Sequence, residues 1–344
     1  MRAPVVSGAK LENLRGRNMR RILAAWLVAC LVAGPVEAGV RVIGQPRKLA
    51  GGEEGLHFMR PIWSPDGSMI AFTCEQYRGL WVANSDGSGL HQLTDEPAAG
   101  FGFEWSADSK AILTRVAQYR GPLRYNAAKI FDALTGEAVQ VTEYRTRMPE
   151  LPHWSDGLRR IAVLGAGGLE IVDSGRKVED VRKAVSHRFC YQRRGVMVIA
   201  RADGQTEATL DPLPGARYLN EVLSPDGKRM VFEVLGGNLY SVNIDGTGLT
   251  DLGRGHRPQW APDSYHLVYM VTEDDGHRFT AADIYCIAAD GSDRKAITTT
   301  AEVLEMNPSW SPDGRWIAFD VLDEGAIYVV PVEIDKNAAG EGRR

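Results

Sequence analysis

The sequence predicts an all-β protein, a β-propeller of four-stranded blades, on three observations. One phrase, Trp-Ser-Pro-Asp-Gly followed by a short apolar run, recurs along the 344 residues. A second hairpin signal follows most copies, and the outer strand missing from the last repeat reappears near the N-terminus. A repeat in the 20–50 residue range marks a solenoid or propeller, because one unit cannot bury its own apolar face.

The clean copies are Trp63-Ser64-Pro65-Asp66-Gly67 before Met69-Ile70-Ala71-Phe72, and Trp310-Ser311-Pro312-Asp313-Gly314 before Trp316-Ile317-Ala318-Phe319. Worn copies begin at Trp105, Trp154 and Trp260, and a sixth has Leu223 in place of Trp. Proline presets φ for a tight turn, Asp bonds the neighbouring backbone and Gly takes the φ > 0 position, so the strand ending at Trp must reverse. Leu80–Ala83 before Asp86-Gly87, Leu239–Val242 before Asp245-Gly246, and Ile284–Ile287 before Asp290-Gly291 supply a second hairpin. Two hairpins per repeat make a four-stranded blade.

The markers lie 42, 49, 69, 37 and 50 residues apart. The gap of 69 holds two second-type hairpins, at Leu169–Gly175 and Val196–Gly204, which predicts a degenerate blade between Arg182 and Leu213 that has lost its phrase. Seven blades are therefore favoured, the 247 residues from Trp63 to Trp310 dividing into six intervals of about 41. Six blades with a long insertion are the alternative. The last repeat ends without the outer strand that Gln92-Leu93-Thr94 supplies in the first, and Arg47-Lys48-Leu49-Ala50 has the matching pattern. The N-terminal strand is expected to close the ring and hide a sheet edge.

Residues 1–38 read as a signal peptide: Arg20-Arg21, an apolar run from Ile22 to Ala33, and a small-residue site ending at Ala38. The start codon is open, since Met19 could also begin the chain. Leu27-Val28-Ala29-Cys30 also fits a lipobox, so the expected location is periplasmic or secreted, with a lipoprotein anchored through Cys30 as the alternative. Removing this segment takes six Lys/Arg and two Asp/Glu from totals of 40 and 44, leaving a net charge of −8. That balance argues against nucleic acid as a partner. The propeller should span residues 39–334, as a monomer with no transmembrane segment in the mature chain, and 335–344 should form a disordered tail. Cys74, Cys190 and Cys286 fall in different blades and are expected to be unpaired, buried thiols.

No Gly-x-Ser-x-Gly elbow, His-Glu-x-x-His, Cys-x-x-Cys or phosphate-binding glycine loop occurs in the sequence, so no catalytic residue, metal or cofactor is assigned. The Asp residues of the Asp-Gly pairs are explained by their turns. Binding chemistry is expected where the Trp-terminated strands begin, around the central channel. Three residues before the markers stand Arg60, Gly102, Leu151, Asn220, Arg257 and Asn307; one residue before stand Ile62, Glu104, His153, Val222, Gln259 and Ser309. Arg60, Asn220, Arg257, Asn307 and His153 are the candidate ligand-binding residues, the arginines suited to a carboxylate unless Glu150, Glu221 or Glu305 pairs with them. A loop from Arg115 to Lys129 on the same face offers Tyr119, Arg120, Arg124 and Tyr125 as an interface. Glu273-Asp274-Asp275 lies in the equivalent loop across the ring, which predicts an electrically asymmetric face.

The phrases from Ser64 to Phe72, with the later Asp86-Gly87-Ser88, make residues 41–332 resemble the WD-repeat-like propellers of the TolB family. That resemblance implies a periplasmic propeller that binds an envelope lipoprotein over its channel mouth. The chain departs from the family in lacking room for the preceding α/β domain and in its seven expected blades. Similar repeats occur in prolyl oligopeptidase-type enzymes, whose hydrolase domain has no counterpart here, and in oligogalacturonate lyase, whose metal-holding histidine cluster has no His-x-His match. The expected function is a non-catalytic scaffold that docks an envelope protein or acidic glycan. The alternative is a polysaccharide lyase or glycoside-acting enzyme at the channel.

Overall fold

The structure, a computed structural model, describes residues 39–52, 55–178 and 187–335. The residues of the expected signal peptide, 1–38 with Cys30, and of the expected tail beyond Asp335 lie outside the described residues. Seven antiparallel sheets succeed one another along the chain, so the seven-bladed reading is correct. Their inner strands are Phe58–Trp63, Phe103–Trp105, His153–Trp154, Arg188–Arg193, Tyr218–Leu223, His256–Trp260 and Glu305–Trp310, in blades 1 to 7. Blade 4, from Arg188 to Leu210, is the one without the phrase. Blades 3 and 4 carry three strands among the described residues, so the four-stranded pattern is general without being uniform.

The phrase works locally as its composition requires. The Ser64 hydroxyl donates to Asp66 Oδ1 at 2.7 Å and accepts the Met69 N–H at 3.0 Å, while Asp66 Oδ1 also takes the Ser68 N–H. Ser224 with Asp226 and Ser311 with Asp313 repeat this closed turn. The left-handed position persists in worn copies. Gly67 has φ of 73°, and Ser109 and Ser264, standing where Gly is lost, each have φ of 60°. Those two serines compensate across the blade boundary, Ser109 Oγ accepting the Asp66 N–H and Ser264 Oγ the Asp226 N–H.

The tryptophans carry a second duty that their recurrence alone did not disclose. Trp105 Nε1 donates to the Ile62 carbonyl at 3.1 Å, Trp154 Nε1 to Glu104 at 3.1 Å, and Trp260 Nε1 to Val222 at 2.9 Å. Each acceptor is the residue just before the marker of the preceding blade. The apolar cores also lie between successive blades: Val268 and Ile284 of blade 6 pack with Met306, Ile317 and Val330 of blade 7. Ala318, Ile327 and Val329 of blade 7 pack with Phe58, Ile70 and Phe72 of blade 1.

Blade 7 closes the ring as the sequence predicts. Its third strand, Ala326–Ile334, pairs antiparallel with Val40–Val42, where Val40 faces Ile334, and with Arg47–Gly51, where Arg47 faces Val329. Leu49 and Ala50 are buried in the blade 7–blade 1 core. Deleting residues 39–52 exposes this core and an unpaired strand, so the truncated protein should lose its cooperative melting transition or melt at least ~5 °C lower in a thermal scan. The Trp stitches give a finer test. Trp260→Phe should cost about 1 kcal/mol more in urea denaturation than Trp310→Phe, because the buried Trp310 Nε1 has no partner to lose.

Candidate functional site

Four of the seven inner strands share one deformation near their starts. Arg60, Asn220, Arg257 and Asn307, with φ of 59°, 51°, 52° and 50°, occupy the left-handed region normally left to glycine. At each the pairing slips by one residue, between Met59 and Ile62, Leu219 and Val222, His256 and Gln259, and Met306 and Ser309. These are β-bulges, and Pro61, Pro258 and Pro308 stand next in three of them, where a residue without an N–H leaves no ladder bond unmade. An x-Pro pair ahead of the marker Trp is the sequence signal for three of these bulges.

The bulges turn backbone amides towards the blade before. Arg60 N–H donates to Asp320 Oδ1 of blade 7 at 2.8 Å, and Asn307 N–H to Met270 Sδ of blade 6 at 3.4 Å. The Arg257 N–H reaches Glu233 of blade 5. The acids are tied within their own blades as well, Asn307 Nδ2 to Asp320 Oδ1 at 2.9 Å and Asn220 Nδ2 to Glu233 Oε2 at 2.8 Å. Asp320 is fully buried and its Oδ2 has no partner. Burial therefore raises its carboxyl to about 7, against the pull of these hydrogen bonds and of Arg257 and Arg60. Burial also pushes the Glu233 carboxyl up, but the His256 ring and the Asn220 amide outweigh it and hold the group below its ordinary value.

Arg60, Asn220, Arg257 and Asn307 line one cavity of about 250 Å³ at the channel, with Glu104, Glu221, Gln259 and Ser309. Four of the five candidate ligand-binding residues are thus brought together. His153 is instead turned onto Glu104, with Nδ1 2.5 Å from Oε1. Burial lowers the His153 ring, but the Glu104 charge and hydrogen bond dominate and raise it. Neither arginine pairs with Glu150, Glu221 or Glu305: the Arg60 guanidinium donates to the Phe101 carbonyl and lies 5.6 Å from the Tyr77 ring centre. Burial, then the neighbouring Arg257 charge, lowers Arg60 to about 10. Glu150 is raised to about 7 by burial and by Glu221. The channel is split, with Arg60 and Arg257 on blades 1 and 6 and Glu104 and Glu221 on blades 2 and 5.

The segment from Arg115 to Lys129 is not the loop expected from sequence. Ala111–Arg120 and Leu123–Asp132 form a ten-residue hairpin in which Tyr119 faces Arg124 and Gln118 faces Tyr125. Strand alternation continues past the blade because the charged and aromatic side chains stack in pairs, Arg120 lying 4.8 Å from the Tyr125 ring centre. Glu273 and Asp274 likewise belong to a strand, in the hairpin of His266–Asp274 and Phe279–Ala288. The two hairpins rise on the same face from blades 2 and 6, one basic and one acidic at the tip.

Cys74, Cys190 and Cys286 are free, Cys74 and Cys190 being half-buried and Cys286 buried. Among the described residues no cluster of three or more His, Cys, Asp or Glu side chains could hold a metal ion. No helix among them is long and apolar enough to cross a membrane.

The pH dependence of stability follows from Asp320. A buried carboxyl raised to about 7 binds its proton more tightly folded than unfolded, so its contribution is greatest below the ordinary carboxylate range and is lost as pH rises from about 4 to 7. Asp320→Asn keeps an acceptor for the Arg60 N–H. Its melting temperature relative to the parent should become more favourable between pH 5 and pH 8, and an unchanged difference would show that Asp320 titrates normally.

No family model matches the chain. It is 39% identical over 67 residues to the Tol-Pal system protein TolB of Anaeromyxobacter dehalogenans, a match spanning 19% of this chain and 13% of that protein. Among solved structures it resembles a putative TolB from Agrobacterium tumefaciens, with a TM-score of 0.50 and 16% identity over 87% of this chain and 99% of that one. An oligogalacturonate lyase from Vibrio parahaemolyticus gives 0.51 and 15% over 89% and 100%, and the C-terminal WD40 domain of Sif2 gives 0.52 and 12% over 80% and 81%. The chain is a seven-bladed propeller distantly similar to TolB and related propeller proteins, and is not a close match to TolB itself.

Proposed function

We propose that this chain is a non-catalytic binding propeller of the cell envelope, and that it docks an acidic protein partner on the channel-mouth face. The observation that carries the reading is the coincidence there of apolar and charged groups. Phe101, Tyr119, Leu123, Leu235, Phe279 and Leu322 are exposed large apolar side chains on that face, at turns and hairpins surrounding the channel. Tyr119 and Leu123 are 59% and 54% exposed. Exposed apolar side chains grouped around polar groups mark interaction surfaces, and Arg and Tyr are enriched among the residues that carry interface energy. Arg60 and Arg257 in the channel cavity, with the basic hairpin of blade 2 on the same face, favour an acidic partner.

A second reading, a polysaccharide lyase or glycoside-acting enzyme at the channel, draws on Glu150. Its carboxyl, raised to about 7, could exchange a proton near neutral pH beside Glu221. The likeness of the fold to an oligogalacturonate lyase supports this second reading.

Both readings are tested by affinity capture from native envelope extract with the full chain and with Arg60→Glu, Arg257→Glu, each first checked for an unchanged circular dichroism spectrum. The docking reading expects an envelope protein retained by the parent and depleted at least about tenfold by the double variant. Equal retention by both would overturn the channel-mouth site. Turnover of an acidic polysaccharide abolished by Glu150→Gln would favour the enzyme instead.

A further inference from the structure

Beside the channel, between blades 1 and 2, lies a separate cavity of about 310 Å³. Arg78, Arg115 and Arg124 line it, together with Tyr77, Phe101 and Tyr119. Three features set it apart from a solvated rim. First, Arg115 and Arg124 make no salt bridge among the described residues: Arg115 Nη1 donates to the Met148 carbonyl at 3.1 Å and Arg124 Nε to Asn126 Oδ1 at 2.9 Å. Arg115 Nε is buried with no partner at all. Secondly, burial and then the Arg124 charge lower the Arg115 guanidinium, and Glu150 offsets this only in part. Two cations are therefore held together without a matching anion. Thirdly, the wall is held in an unusual backbone shape, since Gln76, Tyr77 and Ala98 have φ of 61°, 56° and 64°. Residues held in such conformations store backbone strain, which also gathers at ligand sites.

The aromatic side narrows the ligand. Tyr77 and Phe101 meet edge to face, ring centres 5.2 Å apart, and Arg115 lies 5.6 Å from the Phe101 ring centre. Guanidinium groups recognise carboxylates through paired N–H donors, and aromatic walls accept the flat face of a ring. We infer that this cavity is a binding site for a small carboxylate carried on a six-membered ring, the carboxylate meeting Arg115 and Arg124 and the ring lying among Tyr77, Phe101 and Tyr119. Arg78 is already engaged by Asp95 at 3.8 Å and contributes charge rather than a free donor pair. The cavity adjoins the channel mouth, since Arg60 donates to the Phe101 carbonyl and lies over Tyr77, but its binding of a small carboxylate does not require the docking reading.

The test is calorimetric titration of the full chain with benzoate, with acetate and inorganic phosphate as comparators. Benzoate should bind, and acetate and phosphate should bind at least about tenfold more weakly, because neither offers a ring to the aromatic wall. Arg124→Gln, a change at an exposed position, should weaken benzoate by about tenfold or more, and Tyr119→Ser should weaken benzoate more than acetate. Arg257→Glu, which lines the channel cavity and not this one, should leave benzoate binding unchanged while weakening partner capture if the docking reading holds. Absence of benzoate binding to the parent, or equal binding to the parent and Arg124→Gln, would overturn the site. Equal affinity for acetate and benzoate would overturn the role given to the aromatic wall.

Discussion

The ring depends on how its inner strands are tied to the blade before. Sheets in a propeller share no strands except at the closing blade, so cohesion between blades must come from side chains and from a few deliberate hydrogen bonds. Here two such bonds recur. Three marker tryptophans, Trp105, Trp154 and Trp260, reach back to a carbonyl of the preceding blade, and the left-handed amides of Arg60 and Asn307 reach back to a side chain on the preceding blade's second strand. Both originate on the innermost strand, where neighbouring blades come closest. The same bulge aims Arg60, Asn220, Arg257 and Asn307 at the cavity, so the device that holds the ring also furnishes its mouth.

That coupling explains the unequal behaviour of the buried acids. Asp320 and Glu233 occupy equivalent places in blades 7 and 5, each accepting an amide from the next blade and a carboxamide from its own. Glu233 additionally meets the His256 ring at 2.7 Å and is held ionised. Asp320 has no such ring and keeps one oxygen unpaired, and its carboxyl rises. The difference lies in one neighbouring residue, since His256 precedes the bulge in blade 6 where Met59 stands in blade 1.

The fold was legible because its punctuation is local. Pro, Asp and Gly at fixed offsets impose the same turn wherever they occur, and the two hairpin signals at Asp173-Ser174-Gly175 and Asp203-Gly204 in one gap exposed the blade that had lost its Trp. The ring of residues three before each marker was legible for the same reason, as a fixed offset from a fixed turn. The hairpin of blade 2 was not. Arg115 to Lys129 lacks a strong apolar alternation because its outer half has no core to face, and its polar and aromatic side chains support one another across the two strands. The cavity between blades 1 and 2 was equally hidden. Tyr77, Phe101 and Arg115 are joined only by the packing of adjacent blades, and no spacing along the chain announces them.

Closure through blade 7 also sets an order on assembly. Blades 1 to 6 each form from one contiguous stretch of chain, whereas the closing blade pairs Arg41 with Glu333, 292 positions away. The entropy of joining such distant segments must be met before their contacts repay it, which makes such pairing intrinsically slow. Until then the strand Ala326–Ile334 offers an open edge, and Leu49 and Ala50 have no blade to enter. A chain of this design emerges with its first strand waiting for its last, and a holding factor that shields that edge would act on the interval between the two.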